Sequence, residues 1–92
     1  MPVSARRPQV STAVLMTCRH DLRKMLDQRL EEKGQGAWLS SHEILGVVGE
    51  EFHELQHAVH DNNMQEVHNE LLDIAVACIF GMACIREEKV HW

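Results

Sequence analysis

The segment from Ile74 to Ile85 is apolar on every side of a helix, and it limits the possible folds more than any other feature of the chain. A helix of this kind must be covered on all its sides. The chain has only 92 residues, and a chain of that size buries only roughly 60–65% of its unfolded surface. We therefore expect a central helix in an all-α, oligomeric helical bundle, in which a second copy of the chain helps to cover this segment.

Start and stop signals divide the chain into three main helices joined by short links. Ser40 followed by Glu43 has the form of a capping box, and Gly34 is a typical helix terminator. Strands are not expected, because Tyr is absent and aromatic residues make up only 4% of the chain. The predicted helices run from Ser11 or Thr12 to Lys33, from the cap Ser40 to about His60, and from Asn63 to about Glu88.

Residues 1–10 carry two prolines and an Arg pair, and we interpret them as a flexible N-terminal arm before a single domain at 11–92. The formal net charge of -5 and the lack of a basic face argue against polymeric nucleic acid as a partner. The longest apolar run is shorter than the about 20 residues that span a bilayer, so no membrane association is expected. The three cysteines have no metal-ligand spacing and suggest reduced thiols in a cytoplasmic protein.

Carboxylates lie in line with apolar residues on both the second and the third helix. On the second helix an apolar seam contains Leu45, Val48, Phe52, Leu55 and Val59. Beside it an acidic seam, with the same spacing, contains Ile44, Val47, Glu51, Glu54 and Ala58. On the third helix Glu70 and Asp73 are aligned in the same way with Ala77, Phe80 and Cys84.

Residues three apart are neighbours on one helix face, so the two acidic pairs can meet between adjacent antiparallel helices. Carboxylates brought together in this way must share protons or bind a cation. Mg²⁺ is the natural candidate, since it prefers oxygen ligands and bridges to phosphates. Acidic residues on solvated helix faces are the simpler alternative.

The pattern Glu50-Glu51-x-x-Glu54, followed by Glu70-x-x-Asp73, resembles the signature of MazG-like all-α nucleoside triphosphate pyrophosphohydrolases. The resemblance extends over about Ser40 to Ile85. It implies hydrolysis of a nucleoside triphosphate, including deoxy or non-standard ones, to the monophosphate and pyrophosphate. It also implies that Mg²⁺ is held by Glu51, Glu54, Glu70 and Asp73.

The resemblance suggests further roles around this acidic motif. Glu51 or Glu54 is expected to take the proton of the attacking water. Trp38 lies where relatives bind the base and could stack on it, and His42 could hydrogen-bond to the base or a phosphate. Glu50 points away from the acidic seam on a helical wheel, so its role stays open. No basic run accompanies the motif, which leaves the phosphate charge to the metal and to Lys33, Arg86 or Lys89.

Three alternatives stay open at this point. The spacings Glu50-x-x-His53 and Glu54-x-x-His57 occur in di-iron or other metal-binding helical bundles. Phosphoribosyl-ATP pyrophosphohydrolase has a similar length and a related acidic motif, but we would expect lysines just before Gly49-Glu50-Glu51, where this chain has Leu45-Gly46-Val47-Val48. The third alternative is a helical dimerisation module without catalytic activity. The assembly, a homodimer or a homotetramer, is not distinguished by the sequence.

Overall fold

A computed structural model describes residues 7–92, and in this part of the chain three helices and no strands are found. The helices are α1 (Thr12–Lys33), α2 (Ser41–His60) and α3 (Met64–Arg86), and they contain 76% of the described residues. The all-α prediction with three main helices is confirmed. Helix α3 ends at Arg86, about two residues earlier than expected, with Glu87 as its C-cap.

The predicted N-terminal arm falls largely outside the structure. Residues 1–6 lie outside the described part of the chain, and residues 8–10 have no regular secondary structure. The division into an arm at 1–10 and a single domain at 11–92 stays a prediction.

Each helix begins at a side-chain cap that the sequence signals. The Ser11 hydroxyl accepts a hydrogen bond from the Val14 amide at 3.1 Å, and the Ser40 hydroxyl accepts one from the Glu43 amide at 3.1 Å. The Asn63 side chain accepts one from the Glu66 amide, also at 3.1 Å. Such caps satisfy amide groups that have no partner in the first turn, and each stabilises its helix by about 0.5–2 kcal/mol.

Helices α2 and α3 form an antiparallel hairpin that contains the core of the described chain. The link between them is short, and Asn62 adopts a positive φ of 55° there. The buried apolar residues are small, which allows the two backbones to approach closely: Ala58, Val76, Ala77 and Cys84.

Gly81 is the position at which this close approach matters most. A Cβ atom there would lie 3.4 Å from Cγ2 of Ile44 and 3.6 Å from Cζ3 of Trp38. These are ordinary van der Waals distances, so alanine would fit at this position, whereas a side chain longer than that of alanine would meet Ile44 and Trp38.

Helix α1 packs against α3 and has no buried residue of its own. It ends at Gly34, whose φ of 77° lies in the region that favours glycine. The chain after α3 returns to the start of α2, where the His91 amide donates to the Leu39 carbonyl at 2.8 Å and the Ser41 amide donates to the Trp92 carbonyl. The segment 37–41 is thereby held between α3 and the last residues.

Many large apolar side chains of the hairpin are exposed in the single chain. We call the following set the outer face, since each member is more than half exposed: Leu45, Phe52, Val59, Leu71, Met82 and Ile85. Each lies between about 80° and about 140° around its helix from the packed side, in the same rotational sense. Antiparallel helices that face each other turn in opposite senses, so both halves of the set lie on the same side of the hairpin.

Helix α3 is long and apolar enough to cross a membrane by length and composition alone. The expectation of no membrane association rested on the shorter run within it. In the structure one side of α3, which carries Glu70, Ala77 and Cys84, is buried, mainly against α2, and the rest of the helix is largely exposed in the single chain. The absence of a membrane partner stays a prediction.

Candidate functional site

Three of the four predicted metal ligands meet between α2 and α3. Glu51, Glu70 and Asp73 each offer a carboxylate oxygen, and these oxygens all lie within 4.8 Å of one another. Glu54 is exposed, but it is close enough to raise the pKa of both Glu51 and Glu70. We call these four residues the acidic cluster.

The acidic cluster is placed partly inside the protein. Glu70 is only 6% exposed, and Glu51 and Asp73 are half-buried. Oε2 of Glu51 and Oε2 of Glu70 are buried and have no hydrogen-bond partner. A buried oxygen without a partner is costly, by about 1–3 kcal/mol, and such an atom in a folded protein indicates a ligand or a proton.

The electrostatics of the cluster point in the same direction. Burial raises the pKa of Glu70 to about 7, and the neighbouring carboxyls of Glu66, Glu54 and Asp73 add to this effect. Burial also raises the pKa of Glu51, with further contributions from the charges of Glu54 and Asp73. A cation at this position would relieve both the repulsion and the cost of burial.

The donor set of the cluster is suited to a hard divalent cation. All four residues offer carboxylate oxygens, which Mg²⁺ prefers, and the two buried oxygens without partners need a positive ligand. The residues present therefore fit Mg²⁺.

A cation from α1 already faces the acidic cluster. Nη2 of Arg29 donates to Oδ1 of Asp73 at 3.0 Å in a partly exposed ion pair. Sequence analysis missed Arg29, although the signal was present: Arg29 and Lys33 continue the helical spacing of Leu22 and Leu26 on one face of α1. The carboxylates of α2 were found because they lie in line with apolar residues. Arg29 and Lys33 lie in line with apolar residues of α1 in the same way.

A cavity of about 220 Å³ opens beside the cluster, between α1 and the hairpin. Its charged lining comes from Arg29, Lys33, Glu51 and Asp73. The rest of its lining is mainly apolar and includes Trp38, Val47, Val76 and Phe80. A pocket with a flat apolar part and a charged end suits a ligand with one aromatic and one ionic portion.

Trp38 lines this cavity, and its role in contacting the base stays a prediction. Its ring meets Phe80 edge to face, with ring centroids 4.9 Å apart and an interplanar angle of 75°. Its backbone amide donates to Sγ of Cys84 at 3.4 Å. These contacts hold one large aromatic face at the wall of the cavity.

The other predicted site residues lie elsewhere. His42 packs against Trp92, with ring centroids 5.1 Å apart, and it does not line the cavity. Its substrate-binding role stays a prediction. His53 and His57 form an exposed pair on α2 and do not join the carboxylates that lie within 4.8 Å of one another. Of the residues considered for phosphate, Lys33 lines the cavity, whereas Lys89 lines a separate pocket with Glu87.

Comparison with known proteins identifies the family. The profile of the phosphoribosyl-ATP pyrophosphohydrolase family matches residues 19–84, a range that includes Trp38 and the whole acidic cluster. No curated protein and no solved structure matches the chain.

This match narrows the resemblance found in the sequence. The MazG-like prediction is confirmed at the level of the superfamily. The matching family was only an alternative in the sequence analysis, because the chain lacks lysines before Gly49-Glu50-Glu51. The match covers well over half of the chain. The protein belongs to the phosphoribosyl-ATP pyrophosphohydrolase family, within the superfamily of MazG-like all-α nucleotide pyrophosphohydrolases.

Proposed function

We propose that the protein is a Mg²⁺-dependent hydrolase that cleaves a nucleotide between its α and β phosphates and releases pyrophosphate, with phosphoribosyl-ATP as the first candidate substrate. The observation that carries this proposal is the acidic cluster, with two buried oxygens that lack partners, at the edge of an aromatic-lined cavity. The substrate follows from the name of the matching family.

Glu51, Glu54, Glu70 and Asp73 are the residues that would hold the metal. When bound, Mg²⁺ offsets the negative charge of the phosphates and polarises the phosphorus that water attacks. Glu70 is the most buried member and would anchor the site from α3, while Glu51 and Asp73 face the cavity.

Glu51 is our choice for the general base. It lines the cavity, and its pKa is raised by burial and by the charges of Glu54 and Asp73. A carboxylate with a raised pKa accepts a proton from water more readily than an ordinary one. Glu54 is exposed and is not among the cavity-lining residues, so it is not our choice for the base.

The phosphate chain would lie between the acidic cluster and α1. Arg29 and Lys33 are one turn apart on α1 and both line the cavity, where they can neutralise phosphate oxygens that project away from the carboxylates. Arg29 also holds Asp73 in position through the ion pair between them. Trp38 then supplies a stacking surface for the base at the apolar end.

A second candidate substrate class is favoured by one departure from the expected family pattern. The lysines expected before Gly49-Glu50-Glu51 in a phosphoribosyl-ATP enzyme are replaced here by uncharged residues, Gly46, Val47 and Val48. A substrate with one phosphate fewer would need less positive charge. A simple nucleoside triphosphate, including deoxy or non-standard ones, is therefore the alternative.

The test is a substrate panel with Mg²⁺ present and absent. Phosphoribosyl-ATP and the common ribo- and deoxyribonucleoside triphosphates are supplied separately, and pyrophosphate and orthophosphate are both measured. We expect pyrophosphate and the monophosphate from one substrate class, and no reaction without a divalent cation. Release of orthophosphate, or no turnover of any substrate, would overturn the proposal.

We also propose that the active form is a homo-oligomer, at least a dimer, assembled through the outer face. The exposed apolar residues of α2 and α3 lie on one side of the hairpin, and the cavity opens between the hairpin and α1. A second copy at the outer face would cover those residues without closing the cavity.

A cytoplasmic location is in keeping with this family of soluble enzymes.

A further inference from the structure

The histidine pair of α2 has the geometry of a metal chelate. Nε2 of His53 and Nε2 of His57 lie 3.2 Å apart, and the ring centroids are 4.7 Å apart. Two Zn–N bonds of about 2.0–2.1 Å in a tetrahedral site place their nitrogens about 3.3–3.4 Å apart. In a square-planar site the separation is about 2.9 Å, so the observed distance lies between the two.

We propose that His53 and His57 bind a late first-row divalent cation, such as Zn²⁺, Ni²⁺ or Cu²⁺, at a site separate from the acidic cluster. Residues four apart lie one above the other on a helix, which brings both imidazoles to the same point. As the pair stands, the two Nε2 atoms lie at hydrogen-bond distance. Binding of a metal through both Nε2 atoms requires each neutral imidazole to carry its hydrogen on Nδ1, so the ring that holds it on Nε2 transfers it to its own Nδ1 through water. Neutral imidazole is a preferred ligand of these metals and a poor one for Mg²⁺.

The surroundings of the pair favour a cation. Both histidines are exposed, and the side of α2 that carries them is turned away from α3 and from the cavity. Glu50 lies three residues before His53 and is exposed on the same side, so its carboxylate can reach the metal as a third ligand. The remaining positions are open to water. This assignment also gives a use to Glu50, which lies outside the acidic cluster.

The site connects two successive turns near the end of α2. A metal that binds both histidines in the folded helix, and only weakly in the unfolded chain, stabilises the folded state by mass action. The effect requires both imidazoles. Loss of either one should therefore abolish it as completely as loss of both.

The experiment compares four forms of the full chain in an excess of Mg²⁺: wild type, His57→Gln, the double variant His53→Gln/His57→Gln, and His68→Gln. His68 is an exposed histidine on α3 and serves as the matched control. All four forms keep the acidic cluster, so any Zn²⁺ or Cu²⁺ bound there is common to them. Circular dichroism checks that each variant remains helical.

Titration with Zn²⁺ should show one site per chain that is present in wild type and His68→Gln. This site should weaken at least about tenfold in His57→Gln, since loss of even an outer partner of a metal ligand costs about 10- to 100-fold in affinity. The double variant should be no weaker than the single one. With Cu²⁺, electron paramagnetic resonance should show two nitrogen ligands in wild type and in His68→Gln. The two variants that lack His57 should show fewer.

Two results would overturn the proposal. One is equal Zn²⁺ affinity and stoichiometry in His57→Gln and His68→Gln. The other is a Cu²⁺ spectrum of wild type that shows oxygen ligands alone. Neither result depends on whether the protein hydrolyses nucleotides.

Discussion

The two seams of α2 lie in different environments: the one that contains carboxylates packs against α3, whereas the uniformly apolar one is largely exposed in the single chain. The acidic seam faces α3 and includes Glu51, which has a buried oxygen without a partner. The apolar seam includes Leu45, which is 69% exposed, and Phe52 and Val59, which are more than half exposed. A helix that served only to form a core would be turned the other way, with its uniformly apolar side inward.

From this arrangement we infer that α2 has two further partners besides α3, a cation and a second copy of the chain. The inward carboxylates raise the free energy of the isolated chain, because burial raises the pKa of Glu51 and Glu70. A cation that binds them lowers it again. The apolar residues on the outer face are exposed to water in the single chain, and a second protein surface would remove them from it. The comparison therefore predicts that metal and assembly each stabilise the fold through a different side of one helix.

The largest effect is expected from a charge on the apolar seam. Phe52→Glu should dissociate the oligomer, because burial of a polar group without a partner costs roughly 2–7 kcal/mol and every copy carries the change. Sedimentation velocity at micromolar concentration would show a monomer. Gln28→Glu, an exposed change on α1, is the control and should leave the assembly intact. A wild-type chain that is a stable monomer would contradict the outer face as an interface.

The next largest effect tests the acidic seam through its partner on α3. Asp73→Asn keeps the shape of the side chain and removes its charge, and turnover should fall by about 10²-fold or more, as for the loss of one preorganised electrostatic group. Steady-state kinetics of pyrophosphate release measures this. Asp61→Asn, at the exposed C-cap of α2, should leave turnover unchanged. Near-normal turnover of Asp73→Asn would mean that this carboxylate does not hold the metal.

A smaller change is expected at the apolar end of the cavity. Trp38→Ala should raise the Michaelis constant, since base–aromatic stacking contributes about 1–3 kcal/mol, while turnover changes less. Trp38→Phe keeps an aromatic face and should recover most of the affinity. If the two variants have equal Michaelis constants, Trp38 acts only through its packing against Phe80.

The three helices and their caps could be predicted from the sequence because the signals are local. Each cap residue and the amide that it accepts from are three positions apart, so one turn of chain contains the information. The carboxylate pairs were found in the same way. Two of the four predicted ligands lie on each of α2 and α3, and a short link brings these helices together.

Long-range placement is what the sequence did not provide. Arg29 and Asp73 are 44 positions apart, and nothing local indicates that α1 crosses α3 at this point. The contact of His42 with Trp92 was also missed, since it depends on the chain after α3 returning to the start of α2. The spacing of the carboxylates was equally compatible with a position between the helices and with a position on solvated helix faces. The side that packs is set by small residues such as Gly81 and Ala58.

The smallest predicted effect concerns pH, which acts on the carboxylates between α2 and α3 and leaves the apolar seam of α2 unaffected. The pKa of Glu70 is about 7 in the folded protein against an ordinary value of 4.5, so the folded state binds more protons between these pH values. Stability from this group is therefore fully present below pH 4.5 and is lost as the pH rises through about 7. The raised pKa of Glu51 acts in the same direction.

Thermal melting without divalent cations, at pH 5 and pH 8, measures this loss. Wild type should melt several degrees lower at the higher pH, since about 1 kcal/mol corresponds to roughly 4–8 °C in a domain of this size. Glu70→Gln cannot ionise, and its loss between the two pH values should be smaller than that of wild type. Excess Mg²⁺ should restore the wild type at pH 8 and leave the variant nearly unchanged, because the cation stabilises the ionised carboxylates. If wild type and Glu70→Gln lose the same stability between pH 5 and pH 8, ionisation of Glu70 does not destabilise the folded state. The carboxylates between α2 and α3 would then need no cation.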